Sequence, residues 1–258
     1  MARPELSGEP PVRTERHGRV LLIRMCRAHK RNAVDRQLAG ALDTAFNTLE
    51  DDPELWAGVL TGSGGVFSAG SDLGAIGDYV TERGGEYGLI RRHRRKPLLA
   101  AVEGAALGGG MELVLACDLV VAASTARFGL PEVRLGLVPT CAGLFRGPRA
   151  PPVNLAREMV LTGDCVDAAR AHAAGLVNRV TPEGEALEGA LALAARICEN
   201  APVAVQASLT AMDAWLSGSD ELGWRATEEA TRTVLASADA REGITAFRER
   251  RPPRWTGR

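Results

Sequence analysis

The sequence predicts an α/β fold whose last third is helical. Short apolar segments typical of buried strands alternate with helical segments as far as residue 123, and helical periodicity dominates from residue 151 onward. The chain has 258 residues, 45% of them hydrophobic, and is long enough to bury a sizeable core. Its 29 glycines cluster in a few places, which indicates special backbone turns there.

Each element of the first half has its own signal. Four apolar segments predict strands at residues 20–25, 57–61, 98–102 and 119–123. Between the first two strands, apolar residues recur at helical spacing over 38–49, and Pro53 ends that helix. A glycine-rich segment at 62–72 and a polar stretch at 74–88 follow the second strand, and a short apolar helix is predicted at 111–116.

Helices fill the second half. They are predicted at 154–161, 167–174, 183–200, 203–216 and from 220 onward. Asp239 and Glu242 have the spacing of a capping box, which predicts a last helix through Phe247 that begins at Asp239. The expected organisation is a flexible N-terminal arm at 1–17, an α/β core at 18–195 and a helical C-terminal region at 196–258.

Composition and charge exclude several classes of protein. With 31 basic and 32 acidic side chains, the net charge of −1 excludes a globally basic nucleic-acid binder. The polar, proline-rich start has no secretory-signal pattern. Glu103, Glu112 and Asp118 interrupt the most apolar region, so no run reaches the roughly 18 residues of a membrane span. We expect a cytoplasmic protein with no membrane partner and no nucleic-acid partner.

The cysteines and histidines predict neither disulfides nor a metal site. The five cysteines are odd in number, scattered and without a CxxC pair, as is typical of reduced thiols. The four histidines have no metal-ligand spacing. In the first glycine cluster, Gly65 and Gly70 have the spacing of a phosphate-binding loop, but Ser71 stands where that loop needs lysine, which excludes an ATPase.

The second glycine cluster, at residues 108–110, opens a helix and leaves backbone N–H groups free to bind an oxyanion. Glu112 lies in the first turn of this helix, and Glu132 follows Pro131, which suits a first helical position. Two carboxylates in different surroundings can share acid and base work. Each glutamate is equally typical of a residue that only caps its own helix, and residue patterns alone leave both interpretations open.

A series of segments resembles the crotonase (enoyl-CoA hydratase/isomerase) family in both order and spacing. The segments are VFSAGSDL (66–73), AAVEGAALGGGMEL (100–113), FGLPE (128–132), LGLVP (135–139), LTGD (161–164), AGLV (174–177) and AFRERR (246–251). The resemblance extends from about residue 18 to 251. It implies a crotonase-like spiral of ββα units with a helical C-terminal region, assembled as a homotrimer or a dimer of trimers.

The resemblance also implies a chemistry. Members of the family act on acyl-CoA thioesters, and coenzyme A is part of the substrate, so no separate cofactor is implied. The backbone N–H groups of Ser71 and Gly109 would form the oxyanion hole, and Glu112 and Glu132 match the two glutamates of true hydratases. The small residues at 71 and 109 would let the thioester approach the backbone closely. Residues matching the CoA and substrate side are Arg27, Lys30, Ala69, Asp72 and Leu73.

Two departures from the family pattern leave the acyl specificity open. Ala28 stands where the family often has proline, and residues 139–144 replace a glycine-rich Pro-x-x-Gly-Gly. Within that segment Cys141 is interpreted as a small loop residue rather than a nucleophile, because nothing nearby in sequence would lower its pKa.

The leading hypothesis is an enoyl-CoA hydratase acting on a 2-enoyl-CoA. A double-bond isomerase, which needs only Glu132, is the nearest alternative, and the presence of Glu112 favours the hydratase. The third hypothesis is a CoA-binding or RNA-binding relative with little catalysis that uses the basic run at 91–96. That run is interpreted first as a solvated helix end, with CoA phosphates or nucleic acid as its alternative ligands.

Overall fold

A computed structural model describes residues 10–74 and 78–257. The strands are β1 (Val12–His17), β2 (Val20–Met25), β3 (Ala57–Gly62), β4 (Val80–Thr81), β5 (Gly85–Glu86), β6 (Leu98–Val102), β7 (Ala105–Leu107), β8 (Leu119–Ala123), β9 (Arg127–Gly129), β10 (Val166–Asp167) and β11 (Arg179–Thr181). They form a six-stranded sheet in the order β1-β2-β3-β6-β8-β11, a three-stranded sheet in the order β10-β9-β7, and the hairpin β4-β5.

Helices follow the strands and make up most of the chain after residue 143. The α-helices are α1 (Arg36–Asp51), α2 (Gly109–Leu115), α3 (Gly143–Arg146), α4 (Val153–Thr162), α5 (Ala168–Ala173), α6 (Ala186–Cys198), α7 (Pro202–Leu216), α8 (Asp220–Ala236) and α9 (Ala238–Glu249). Short 3₁₀ turns lie at Ala28–Lys30, Pro131–Leu135, Gly147–Arg149 and Ser217–Ser219. Among the described residues, no helix is long and apolar enough to cross a membrane.

The large sheet is covered on both faces, which explains its continuous apolar strands. From β2 to β11 its strands are parallel, and only β1 is antiparallel. Alternate residues of β2 enter different clusters: Leu21 and Ile23 pack with the apolar face of α1, and Leu22 packs with Ala190 and Ala194 of α6. The predicted mixed α/β fold with a helical C-terminal part is therefore what the structure has.

Two local predictions are corrected. Within the predicted flexible arm, Val12–His17 forms an edge strand, because Gly18 takes a positive φ and lets β1 turn back to pair with β2; residues 1–9 lie outside the described residues. The last helix is capped by Ser237, whose hydroxyl accepts from the Ala240 N–H at 3.1 Å. The Asp239 carboxylate instead accepts backbone N–H groups of residues 256 and 257, so the predicted capping box is wrong.

Three short parallel segments bring the candidate site together. β7 pairs with β9, so that Leu107 lies opposite Gly129, and on its other side β7 forms a parallel bridge from Ala106 to Ser68. The chain leaves all three segments at the same end. Residues 70–72, 108–112 and 130–132 therefore emerge side by side, although they are distant in sequence.

Candidate active site

The two glutamates predicted from sequence lie side by side. Glu112 lies in the first turn of α2, directly after β7, and Glu132 lies in the 3₁₀ turn directly after β9. The pairing of β7 with β9, continued by a hydrogen bond from the Gly108 N–H to the Gly129 carbonyl at 2.9 Å, holds the two segments together. The structure thus brings together two carboxyls that residue patterns could not place relative to each other.

Glu112 is a buried carboxyl held by backbone amides. Its Oε1 accepts from the Cys141 N–H at 2.7 Å and from the Gly143 N–H at 2.8 Å. Burial raises the pKa of Glu112 to about 7, although these two hydrogen bonds oppose the rise by favouring the carboxylate. Glu112 is therefore oriented by the chain and titrates close to neutral pH.

The loop that holds Glu112 has an unusual backbone. Ala142 has φ +77°, in the left-handed region that glycine adopts more easily. This conformation aims the amides of its two neighbours, Cys141 and Gly143, at one oxygen atom. The Cys141 thiol is buried, and its pKa is raised well above the usual value, first by burial and then by the charge of Glu112. Cys141 contributes its amide to the site, in line with its interpretation as a small loop residue.

Glu132 is half-buried, and its carboxyl has fewer hydrogen-bond partners than that of Glu112. Its Oε2 is buried and has no hydrogen-bond partner among the described residues. Burial first, and then the negative charge of Glu112, raise the pKa of Glu132 to about 8. A Cβ built on Gly108 would lie 3.1 Å from its Oε1, which places this carboxyl at the entrance of α2. The raised pKa favours the protonated form of Glu132.

The two residues predicted to supply oxyanion amides are neighbours. Val34 pairs with the segment around Ser71: the Val34 N–H donates to the Gly70 carbonyl at 2.7 Å, and the Asp72 N–H donates to the Val34 carbonyl at 2.8 Å. In a parallel bridge these bonds leave the Ser71 N–H on the opposite side. Gly70 lies against α2, because a Cβ there would be 2.7 Å from the Gly109 nitrogen.

Residue patterns missed the aromatic part of the site. The chain has two tyrosines, and both lie in the stretch 74–88, where their ring centroids are 4.7 Å apart. The Tyr87 hydroxyl is 2.6 Å from Ser71 Oγ, and a Cβ at Gly109 would lie 2.2 Å from it. Glycine is therefore needed at 109 to leave room for the Tyr87 phenol. The sequence did not predict this requirement. The signal available was the confinement of both tyrosines to one polar segment.

The residues predicted on the CoA side lie around one ion-pair cluster. The Arg27 guanidinium is 2.8 Å from Asp35 and 2.9 Å from Asp72, and it is mostly buried. A hydrogen bond from the Gly74 N–H and the charge of Arg27 lower the pKa of Asp72. Lys30 and Ala69 are exposed nearby, and Leu73 is half-buried. Because two carboxylates already surround Arg27, Lys30 is the cation of this set better placed for a phosphate, and CoA binding here stays a prediction.

The basic run at 91–96 is only partly solvated, because Arg91, His93 and Arg95 are exposed whereas Arg92, Arg94 and Lys96 are buried or half-buried. Arg92 is buried and donates to Asp43, Asn47 and the Gly88 carbonyl. Arg94 binds both carboxylate oxygens of Asp118, and Lys96 donates to two backbone carbonyls at the end of α1. The predicted solvation is therefore wrong for Arg92, Arg94 and Lys96, because carboxylates and carbonyls distant in sequence surround these three side chains.

Other features of the surface lie apart from the glutamates. The described part of the chain holds no cluster of three or more His, Cys, Asp or Glu side chains able to bind a metal ion. Two surface grooves lie elsewhere, one beside Val20 and Leu187 and the other along the loop at 62–65. Neither groove is lined by Glu112 or Glu132.

Comparison with known proteins agrees with this geometry. A family described as enoyl-CoA hydratase/isomerase matches residues 15–258. A carnitinyl-CoA dehydratase of Salmonella typhi is 40% identical over 254 residues, covering 94% of this chain and 97% of that protein. The crystal structure of carnitinyl-CoA hydratase from Mycobacterium avium superposes with a TM-score of 0.92 at 42% identity, covering 97% of this chain and 100% of that one. The enoyl-CoA hydratase of Mycobacterium tuberculosis H37Rv gives 0.79 at 44% identity, with the same coverage. The chain therefore belongs to the crotonase family of enoyl-CoA hydratases and isomerases, and its fold is the crotonase fold.

Proposed function

We propose that this member of the family is an enoyl-CoA hydratase. The family carries out hydratase and dehydratase chemistry on CoA thioesters. The proposed reaction adds water across the double bond of a 2-enoyl-CoA to give the 3-hydroxyacyl-CoA, and it is reversible. The observation that carries the proposal is the pairing of two glutamates whose surroundings differ. Buried Glu112 accepts two amide hydrogen bonds, and half-buried Glu132 has a buried oxygen with no hydrogen-bond partner among the described residues.

The surroundings assign a role to each glutamate. Glu112 is the base, because two backbone amides donate to its carboxylate and favour the ionised form. It takes a proton from the water whose oxygen bonds to C3 of the enoyl group. Glu132 is the acid, because burial and the neighbouring charge keep it protonated. Its proton goes to C2 as the enolate collapses.

The negative charge that develops on the thioester oxygen needs hydrogen-bond donors of its own. When water attacks C3, the π electrons move onto the thioester oxygen, which becomes an enolate. The Ser71 and Gly109 N–H groups are the proposed donors to that oxygen. Donors of this kind act on charge that appears only in the transition state, and each is worth roughly 10²- to 10³-fold in rate.

The same site serves dehydration. Relatives of this chain are named carnitinyl-CoA dehydratase and carnitinyl-CoA hydratase. Carnitinyl-CoA is a 3-hydroxyacyl-CoA with a quaternary ammonium at C4, so removing its water needs the same base, acid and oxyanion donors in reverse. We therefore include this substrate class beside unsubstituted enoyl chains in the test.

The two other hypotheses are less well supported. A double-bond isomerase would use Glu132 alone and would give no reason to hold Glu112 with two amides. A nucleic-acid-binding relative would need the charges of the basic run at 91–96 to face solvent. Arg92 and Lys96 are buried, and the exposed Arg91 and Arg95 are each paired with a glutamate.

The test is hydration of short and long 2-enoyl-CoA thioesters and of the C4-trimethylammonium analogue, followed by loss of the ultraviolet absorbance of the conjugated thioester. We expect Glu112→Gln and Glu132→Gln each to lose roughly 10²-fold or more in kcat, in the range of general acid–base catalysis. Glu50→Gln is the matched control, because Glu50 is also buried and also accepts backbone N–H groups, those of Arg95 and Lys96. Its kcat should stay within about twofold. Undiminished hydration in either active-site variant would contradict the two-glutamate assignment.

We also propose self-association as a homotrimer or a dimer of trimers. Helix α7 has no buried residue among those described, yet it carries several large apolar side chains. Val203, Met212 and Trp215 are between 63% and 82% exposed in the single chain. Exposed apolar side chains concentrated on one helix are typical of a protein–protein interface. A second copy of this chain is the occupant that the family resemblance favours.

A further inference from the structure

One buried phenol contacts both residues proposed to bind the thioester oxygen. The Tyr87 hydroxyl is 2.6 Å from Ser71 Oγ, and the position that a Cβ would take on Gly109 lies 2.2 Å from that hydroxyl. Tyr87 is 1% exposed, so water does not compete for this hydrogen bond. The proposed mechanism uses only the backbone amides of Ser71 and Gly109 and gives the phenol no role.

The backbone of Tyr87 is held in a conformation that a bulky residue rarely adopts. Its φ is +56°, in the left-handed region. The Tyr87 N–H donates to the Tyr79 carbonyl at 2.9 Å, which closes the segment carrying the β4-β5 hairpin. The next carbonyl, that of Gly88, accepts from buried Arg92. Non-glycine residues in this region persist where surrounding structure imposes them, and they are concentrated at functional sites.

The serine is held from two directions. Its backbone lies in the bridge to Val34, and its side chain is bonded to Tyr87. The phenol therefore touches α2 at Gly109 and the loop at Ser71. With both contacts in place, a shift of either segment toward or away from the other would break the hydrogen bond or press on the ring.

We propose that Tyr87 is a positioning residue for the oxyanion hole, whose hydroxyl holds Ser71 and Gly109 at the separation at which their amides bind the thioester oxygen together. This inference rests on the proposed function. Because the amides meet full negative charge only in the transition state, loss of their spacing lowers kcat more than it changes KM.

The kinetic test is a double-mutant cycle. Tyr87→Phe removes the hydroxyl and keeps the ring, and Ser71→Ala removes Oγ and keeps the backbone amide. We expect each single variant to lose about tenfold in kcat with KM within about twofold, as for one buried hydrogen bond. The loss in the double variant should be clearly smaller than the sum of the two single losses, because both changes remove the contact between Tyr87 and Ser71. Additive losses, or an unchanged kcat in Tyr87→Phe, would overturn the proposal.

A spectroscopic test does not depend on hydration. A bound 2,4-dienoyl-CoA whose thioester oxygen is polarised by two donors absorbs at longer wavelength than the same compound in water. We expect Tyr87→Phe to bind this probe with a clearly smaller red shift than the wild type. If the wild type shifts the probe but hydrates no enoyl-CoA, the proposed function fails and the positioning role is still tested. An equal shift in wild type and variant would overturn the positioning role alone.

Thr81→Val is the matched control that separates loss of hairpin stability from loss of the Tyr87 hydroxyl. Thr81 lies in β4, and its hydroxyl donates to Asp43 and to the Gly85 carbonyl. The variant weakens the segment that carries Tyr87 without removing the bond to Ser71. We expect lower thermal stability with kcat and the probe shift unchanged. If Thr81→Val loses as much kcat as Tyr87→Phe, the effect belongs to hairpin integrity and the proposal is wrong.

Discussion

Replacing Glu132 by glutamine should make the protein more stable, by a margin that grows with pH. Burial and the charge of Glu112 raise the pKa of Glu132 from 4.5 to about 8. At pH values between these two pKa values, the Glu132 carboxyl is protonated in a larger fraction of folded molecules than of unfolded molecules. The free energy of unfolding therefore falls as pH rises through this interval. Glutamine does not titrate, so the free energy of unfolding of Glu132→Gln does not contain this pH-dependent decrease.

The size of the effect follows from the shift. While the pH lies between the unfolded and folded pKa values, the free energy of unfolding falls by about 1.4 kcal/mol per pH unit, and by less near either value. From pH 5 to pH 8 the stability margin of Glu132→Gln over the wild type should therefore grow by about 3 kcal/mol. The margin is small at pH 5, because the wild-type carboxyl is then largely protonated in the folded state and partly protonated in the unfolded state.

Urea unfolding at pH 5, 6, 7 and 8, at one fixed protomer concentration, measures this margin. Glu242→Gln is the control of opposite sign. Arg251 and the Arg254 N–H lower the pKa of Glu242 to about 2, so its contribution is fully present above pH 5 and disappears only as pH falls toward 2. Its margin should stay constant from pH 5 to 8. A constant margin for Glu132→Gln as well would show that the fold does not hold Glu132 protonated.

Three further predictions concern catalysis, the loop and assembly. With Glu112 ionised and Glu132 protonated as the active form, kcat/KM should peak between about pH 7 and 8 and fall on both sides; a plateau down to pH 5 would contradict the role of Glu112 as base. Ala142→Gly should raise the free energy of urea unfolding by about 1 kcal/mol, because it relieves a left-handed alanine, with kcat unchanged; a loss of stability would show that the methyl packing dominates. Trp215→Glu places a charge on the exposed apolar face of α7 and should reduce the mass measured by light scattering to that of the monomer, whereas an unchanged assembly would exclude this face as the interface.

Elements with an unambiguous hydrophobic pattern could be predicted from the sequence. The strands at 20–25, 98–102 and 119–123 match to the residue, because a parallel sheet covered on both faces needs unbroken apolar runs. The two glutamates could be singled out because each follows a helix-start signal. Their approach to one another could not, since it depends on the register of β7 against β9.

Predictions failed where a residue takes its role from partners distant in sequence. β1 is largely exposed and polar, and its order comes from pairing with β2 rather than from its own burial. The charges at 91–96 resembled a solvent face because Asp43, Glu50 and Asp118 lie 24 to 49 residues away. The phenol of Tyr87 could not be placed at the site because a left-handed tyrosine has no local sequence signal.

Glu112 is oriented by backbone N–H groups and not by side chains of the neighbouring loop. Cys141 and Gly143 bind the carboxylate through their N–H groups, so neither side chain is needed for that contact. The segment 139–144 can therefore lack the glycine-rich pattern and still orient Glu112, provided that its backbone keeps the same conformation. Substitutions at residues 140–142 that keep this backbone conformation should therefore leave both N–H donors to Glu112 in place.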